Sequence, residues 1–127
     1  MIKNIKTEKR KYPRIEQELP INVVANGYDF ITSTQNVSCL GAYCRVNKYM
    51  PPFTKVMVRL TLPVISDNGS KNYNVECKGV VVRTEDENTG GFNIAIFFNA
   101  INPEQRKKIS QYISQFLPKN SSVLNRV

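Results

Sequence analysis

The chain has 127 residues, of which 41% are apolar, and it carries a formal net charge of +8. This length and apolar content fit one domain with one modest core and exclude a second independent domain. No apolar run approaches the length that crosses a bilayer, and the first residues lack the apolar stretch of a secretion signal, so the sequence predicts a cytoplasmic protein.

The N-terminal segment is strongly basic. Such a segment cannot form a core, and it attracts anions. On charge alone it can be a solvated tail, an arm that contacts nucleic acid or anionic lipid, or an arm that closes over a phosphorylated ligand. Pro13 restricts its own φ and biases Tyr12 towards extended backbone, which favours a defined arm. Against the single acid Glu8, the basic residues of the first fourteen are Lys3, Lys6, Lys9, Arg10, Lys11 and Arg14.

Three strands are predicted in the first half of the chain. Residues 19–25 alternate between apolar and polar, Asn26-Gly27 is a hairpin signal, and the alternation resumes at residues 28–34. Residues 36–41 then form a tight polar connection, in which Asn and Ser can bond nearby backbone and Gly permits close approach. Leu40, Ala42, Cys44 and Val46 alternate as a third strand.

Three more strands are predicted in the second half. Two prolines interrupt the chain at residues 50–53, and the clearest alternation follows at residues 56–62. Residues 64–72 are predicted to be an exposed loop. A long strand covers residues 73–83, with a bulge expected at Gly79 because the apolar phase shifts there. After a polar turn at residues 85–91, a sixth strand buries Phe92, Ile94, Ile96 and Phe98.

A helix is predicted at the C-terminal end. Asn102 can cap it, Pro103 suits its first position, and Pro118 ends it. Apolar residues recur at helical spacing and need a surface on which to pack. From pattern alone, six short strands and one helix indicate a small barrel or a strongly twisted sheet. The apolar stripe of the helix consists of Ile109, Tyr112, Ile113, Phe116 and Leu117.

Cysteine and histidine usage disfavours a metal centre and catalysis. The three cysteines, Cys39, Cys44 and Cys77, are odd in number and lack C-x-x-C spacing, and the chain has no histidine. Each lies in or beside an alternating run, so we expect reduced, packed thiols. No base, carboxylate pair or phosphate loop is recognisable, so the sequence predicts a protein that is not an enzyme and has no cofactor or metal.

Two short motifs carry a resemblance to a known family. Arg10-x-x-x-Arg14 precedes the first strand, and Asn36-x-Ser38-x-x-Gly41 follows one hairpin later. Together and in this order they resemble the PilZ domain, the bacterial receptor module for cyclic di-GMP, from about Lys9 to about Leu117. The resemblance implies a six-stranded antiparallel β-barrel with a C-terminal α-helix. Residues 1–15 would be a flexible basic arm, 16–118 the barrel and helix, and 119–127 a tail.

The resemblance also implies the binding residues. Arg10 and Arg14 would hold the phosphates and guanine edges of cyclic di-GMP. Asn36, Ser38 and Gly41 would supply side-chain and backbone groups to the same ligand. Lys9 occupies the position that in the family helps to set whether one ligand or a stacked pair binds. From its place on the fifth strand, Arg83 can add a further charge, although an ordinary exposed arginine is the simpler interpretation. At a position where the family often has Gly, this chain has Ala95.

The predicted function is that of a single-domain receptor. Cyclic di-GMP would order the N-terminal arm, and an unidentified effector protein would recognise that state in the control of motility, adhesion or exopolysaccharide. Two alternatives remain open. One is a PilZ-like protein-interaction module without ligand binding. The other is a small basic barrel that binds single-stranded nucleic acid, which would need several exposed aromatic residues on one sheet face.

Overall fold

The six strands close into a barrel and one helix follows them. The computed structural model describes residues 12–117, with Ser66 described only through its backbone. Neighbouring strands are antiparallel, and the order around the barrel is β1-β2-β3-β6-β5-β4. The predicted six-stranded antiparallel β-barrel with a C-terminal α-helix is confirmed. Its elements are β1 Pro20–Ala25, β2 Tyr28–Val37, β3 Gly41–Val46, β4 Lys55–Ser66, β5 Gly69–Asp86, β6 Phe92–Ala100 and α1 Pro103–Ser114.

The alternating side chains of the strands fill the barrel. Val23, Leu60 and Ile94 are fully buried, and the free thiols of Cys39, Cys44 and Cys77 are buried as well. Burial of such alternating apolar faces is the main favourable term in folding a small domain. The prediction of reduced, packed cysteines is therefore confirmed.

Helix α1 begins where the sequence predicts. The Asn102 side chain accepts a hydrogen bond from the Glu104 amide at 2.7 Å, and Pro103 occupies the first turn. The helix packs against β5 and β4 through its apolar stripe, of which Ile109, Tyr112 and Ile113 are buried. It ends at Ser114, three residues before the predicted end, and Phe116 is 44% exposed. No helix of the described residues is long and apolar enough to cross a membrane.

The exposed loop predicted at residues 64–72 is wrong. Strands β4 and β5 continue as a hairpin to the pair Ser66 and Gly69. Pro63 is tolerated because β1 pairs with β4 only over Met57–Leu60, so that beyond Leu60 the strand is paired on one side alone. The polar residues Asp67 and Asn68 form only the turn at the tip of this hairpin. We call residues 63–72 the distal hairpin.

Two irregularities bend β5. The pairing with β6 shifts register between Lys78 and Val80, which confirms the bulge predicted at Gly79, and again between Val81 and Arg83. A Cβ at Gly79 would lie 2.7 Å from Ile96 Cγ2 and 3.1 Å from the Phe97 carbonyl oxygen. Glycine is therefore needed where the barrel wall curves tightly. Strand β5 also runs through Asp86, so the following turn is shorter than predicted.

Candidate functional site

The connection between β2 and β3 is a tight turn held by its own polar groups. The Ser38 amide donates to the Gly41 carbonyl at 2.9 Å, and the Ser38 hydroxyl oxygen accepts from the Leu40 amide at 3.0 Å. A serine hydroxyl that accepts one bond retains a hydrogen to donate. Leu40, predicted to be part of the third strand, lies in this turn and is 36% exposed. The turn thus fixes Ser38 and leaves it able to bond a ligand.

A bulge in β2 directs Asn36 outwards. Thr34 and Val37 are both buried although they are three positions apart, and the pairing with β3 shifts register between Thr34 and Asn36. Without that shift, the strict alternation of a strand would place one of the two buried side chains outside. The half-buried Asn36 side chain forms no hydrogen bond with the described residues. Its amide is therefore available at the barrel surface.

Gly41 is the point at which β3 meets β6. A Cβ there would lie 2.1 Å from the Ile96 carbonyl oxygen, a separation that no side chain can tolerate. Gly41 pairs with Phe97, and the neighbouring Leu40 carbonyl accepts from the Phe98 amide at 2.7 Å. The close backbone approach predicted at this glycine exists, and the approaching group is the backbone of β6, the neighbouring strand in the barrel.

Arg14 is held beside this turn by the residue that follows it. Ile15 is buried and exchanges two backbone hydrogen bonds with Val37, at 2.9 and 3.0 Å. This antiparallel bridge brings Arg14 alongside Ser38. Arg14 is exposed and forms no ion pair with any described residue, so its guanidinium is available to an anion.

A row of three outward-facing residues continues from the turn across the barrel wall. Ala95 of β6 pairs with Tyr43 on one side and with Arg83 on the other. The Arg83 guanidinium lies 5.6 Å from the Tyr43 ring centroid. Because the Ala95 side chain is small, it leaves space at the barrel surface between the Tyr43 ring and Arg83.

Glu85 contacts Tyr43 and Arg83, the two outer residues of this row. Its carboxylate accepts from the Tyr43 hydroxyl at 2.6 Å and forms an ion pair with Arg83 at 3.2 Å. The hydrogen bond to Glu85, together with burial and the Glu85 charge, raises the pKa of Tyr43, which therefore stays a neutral phenol at physiological pH. Arg83 is thus more than a solvated strand arginine, because it is positioned by two neighbours.

These features border one open groove of about 460 Å³, which we call the arginine groove. This volume lies in the range of small-molecule sites. Of the predicted site residues, Arg14, Asn36, Ser38, Gly41 and Arg83 line it. Arg10 and Lys9 lie outside the described residues. The lining contains two guanidinium groups and no acidic side chain: Tyr12, Arg14, Asn36, Ser38, Leu40, Gly41, Ala42, Tyr43, Val82, Arg83, Ala95, Ile96 and Phe97.

Sequence reasoning missed Tyr43 and Phe97 as groove residues. Tyr43 lies two residues after Gly41 and therefore on the same face of β3. Phe97 lies out of phase with the buried residues of β6 and is 43% exposed. Strand parity could have found both, since each faces away from the core beside a motif residue.

The family of this chain is identified by comparing its sequence with models of protein families. The model of the PilZ domain matches residues 8–115. This chain belongs to the PilZ domain family. PilZ domains form a family of cyclic di-GMP receptors and are regulatory rather than enzymatic. No curated protein matches the chain by sequence.

Two solved structures share the fold. The inhibitor of motility MotI (DgrA) of Bacillus subtilis is 15% identical with a TM-score of 0.73, and the match covers 85% of this chain and 51% of that chain. This chain thus spans about half the length of MotI. The PilZ domain of YcgR from Escherichia coli, solved with cyclic di-GMP, is 12% identical with a TM-score of 0.53, and the match covers 94% of this chain and all of that one. At these identities the likeness concerns the fold alone.

Proposed function

We propose that this PilZ domain binds cyclic di-GMP in the arginine groove and reports its occupancy to a partner protein. The observation that carries the proposal is that Arg14 lines the same groove as Asn36, Ser38 and Gly41. Arg14 belongs to the first motif and the other three to the second, with two strands between them along the chain. Family membership and the cyclic di-GMP complex of YcgR agree with that ligand.

The chemistry of the groove suits a cyclic dinucleotide. A guanidinium binds phosphate with two parallel hydrogen bonds, bonds O6 and N7 of guanine, or stacks on a base. Arg14 and Arg83 both line the groove and can do this. The Asn36 amide both donates and accepts, as a guanine edge requires, and the Ser38 hydroxyl can donate to a phosphate or a base.

Aromatic and small residues supply the rest of the site. The ring of Tyr43 and the exposed part of Phe97 offer apolar surface for a base, while Ala95 leaves the floor open. In this account Arg10 joins the phosphates from the N-terminal arm, and Lys9 influences whether one or two ligands bind.

The arm supplies the proposed switch. Arg14 is already placed beside the turn through Ile15, and a phosphate bound next to it would attract the basic residues that precede it in the sequence. An effector that recognises the arm over the groove would then distinguish the bound from the free receptor. The motility inhibitor MotI has the same fold, which is consistent with an output in motility.

The nucleic-acid alternative has less support. Its stacking platform would require exposed aromatic residues on one sheet face. Tyr12, Tyr43 and Phe97 do line the arginine groove, so aromatic surface does not separate the two ligands. What favours the dinucleotide is that Arg14 lines the groove together with Asn36, Ser38 and Gly41 of the second motif.

Calorimetric titration with cyclic di-GMP tests the proposal. We expect micromolar or tighter binding, on the order of −8 kcal/mol, and a preference over GMP and cyclic di-AMP. Absence of heat and of a thermal shift far above that concentration would overturn it. Tighter binding of single-stranded RNA or DNA at physiological salt would favour the nucleic-acid alternative instead.

A further inference from the structure

A second groove lies directly beside the arginine groove. It has a volume of about 500 Å³ and runs between the segment at Tyr12 and Pro13 and one face of α1. We call it the helix groove. It is lined by Tyr12, Pro13, Cys39, Ile101, Pro103, Arg106, Lys107, Ser110, Ile113, Ser114 and Leu117.

The helix groove combines an apolar surface with uncompensated positive charge. The partly exposed Ile101 and Leu117 supply aliphatic surface, whereas Arg106 and Lys107 supply two cations. None of the lining residues is acidic. The chemistry of the groove is therefore complementary to a segment that presents both apolar and acidic side chains.

Arg106 adds a specific unmet requirement. Its Nε is buried and has no hydrogen-bond partner among the described residues. A buried donor without an acceptor costs about 1–3 kcal/mol, because water no longer bonds it. The Arg106 side chain also lines the groove, so a carboxylate placed there would pair with its guanidinium group and neutralise the charge.

The two grooves share structural elements. Tyr12 lines both of them. Ser38 lines the arginine groove, and Cys39, the next residue of the same tight turn, lines the helix groove. Burial raises the pKa of the Cys39 thiol, while its hydrogen bond with Ser110 and the Arg106 charge oppose that shift. The turn therefore borders the arginine groove on one side and contacts α1 on the other.

We propose that the helix groove docks an acidic, apolar segment of the partner protein, and that cyclic di-GMP in the arginine groove strengthens this docking. A carboxylate of the partner pairs with the Arg106 guanidinium group, and apolar side chains of the partner cover Ile101 and Leu117. Tyr12 and the turn at Ser38 and Cys39 couple the two grooves. This inference rests on the proposed cyclic di-GMP binding and names the class of partner that reads it.

Selection from a display library of random peptides, in the presence of cyclic di-GMP, tests the partner chemistry. We expect enriched peptides to combine Asp or Glu with Leu, Ile or Phe. A selected peptide should shift the amide signals of Cys39, Ser110 and Leu117. Enrichment of basic or uncharged peptides, no enrichment, or shifts confined to other surfaces would overturn the proposal. Preferential binding of single-stranded nucleic acid at these amides would overturn it too.

Charge-matched variants locate the contact. Arg106→Gln should weaken the selected peptide about tenfold, because a buried, charge-assisted bond is lost. Lys71→Gln removes the same charge from the distal hairpin and should change the affinity less than about twofold. Equal weakening by both variants would mean that only the net charge attracts the peptide, which contradicts a docking groove.

Titrating each ligand with and without the other tests the coupling. Saturating cyclic di-GMP should tighten peptide binding about fivefold or more, and the peptide should tighten cyclic di-GMP binding by the same factor. Equal peptide affinity with and without cyclic di-GMP would refute the coupling. If cyclic di-GMP binds alone and no peptide does, this inference fails and the proposed function stands. If cyclic di-GMP does not bind at all, the proposed function itself fails.

Discussion

Two polar turns of similar composition have different structural roles in this barrel. The turn at residues 36–41 and the tip of the distal hairpin at residues 66–70 both contain Asn, Ser and Gly, although the first also contains Val37, Cys39 and Leu40. At the first, a Cβ on Gly41 would strike the Ile96 carbonyl oxygen at 2.1 Å. At the second, a Cβ on Gly69 would meet nothing within 4 Å, although its φ is +108°. What distinguishes them is the structure that approaches each turn.

The largest expected effect is the difference in unfolding free energy between alanine substitutions at the two glycines. Gly41→Ala should lower the free energy of unfolding by about 3 kcal/mol, since β3 or β6 must move away from the clash. Gly69→Ala should cost about 1 kcal/mol, from backbone strain alone. Urea denaturation measures both. Equal losses would mean that Gly41 is not a closure point of the barrel.

Removing the Arg14 guanidinium should have the next largest effect, on binding. Arg14→Ala should weaken cyclic di-GMP by about 2 kcal/mol, roughly thirtyfold, through the loss of charge-assisted hydrogen bonds. Arg14→Lys should lose most of this affinity as well, because lysine restores the charge without the fork.

Lys71→Ala is the control for Arg14, because it removes a cation from the distal hairpin. Calorimetry should find its affinity unchanged, and thermal unfolding should find all three variants folded, since both side chains are exposed. Wild-type affinity in Arg14→Lys would reduce the role of Arg14 to nonspecific attraction.

A bulky residue at position 95 should fill the groove without disturbing the core. Ala95→Leu raises the floor between Tyr43 and Arg83, and we expect cyclic di-GMP binding to fall by at least about tenfold. Asn72→Leu makes a comparable change on the exposed distal hairpin and serves as the control. Unchanged binding by Ala95→Leu would place the ligand elsewhere.

Over a single pH unit, the smallest effect concerns the thiols of the barrel interior. Burial raises the pKa of Cys44 from 9.0 to about 12 and that of Cys77 from 9.0 to about 11. Above pH 9 the unfolded chain loses these protons and the folded chain keeps them, so stability should fall as the pH rises from about 9 towards 12. Each thiol contributes at most about 1.4 kcal/mol per pH unit.

Comparison with Cys44→Ala isolates one thiol from the other groups that titrate in this range. Urea denaturation at several pH values should give a flatter decline for this variant. The same slope in both proteins would show that Cys44 is not kept protonated by the fold.

The sequence predicted the strands, the helix start and the bulge at Gly79, because burial produces alternation and caps leave local signatures. It could not predict the length of the distal hairpin. Pro63 is tolerated because β4 pairs there with β5 alone, and this depends on where β1, a distant segment, stops pairing with β4. Likewise, the motifs predicted Arg14 and Asn36, and strand parity would have added Tyr43, whereas the proximity of Tyr43 to Arg83 arises because both pair with Ala95 of β6. Neighbours across strands depend on the register of strand pairing, which cannot be derived from a single sequence.

Hydrogen exchange with and without cyclic di-GMP compares the two turns in one experiment. We expect slower exchange of the amides at residues 36–43, around Arg83 and in the segment before Ile15, with the distal hairpin unchanged. Protection of the distal hairpin, or no change at residues 36–43 under saturating ligand, would contradict binding in the arginine groove.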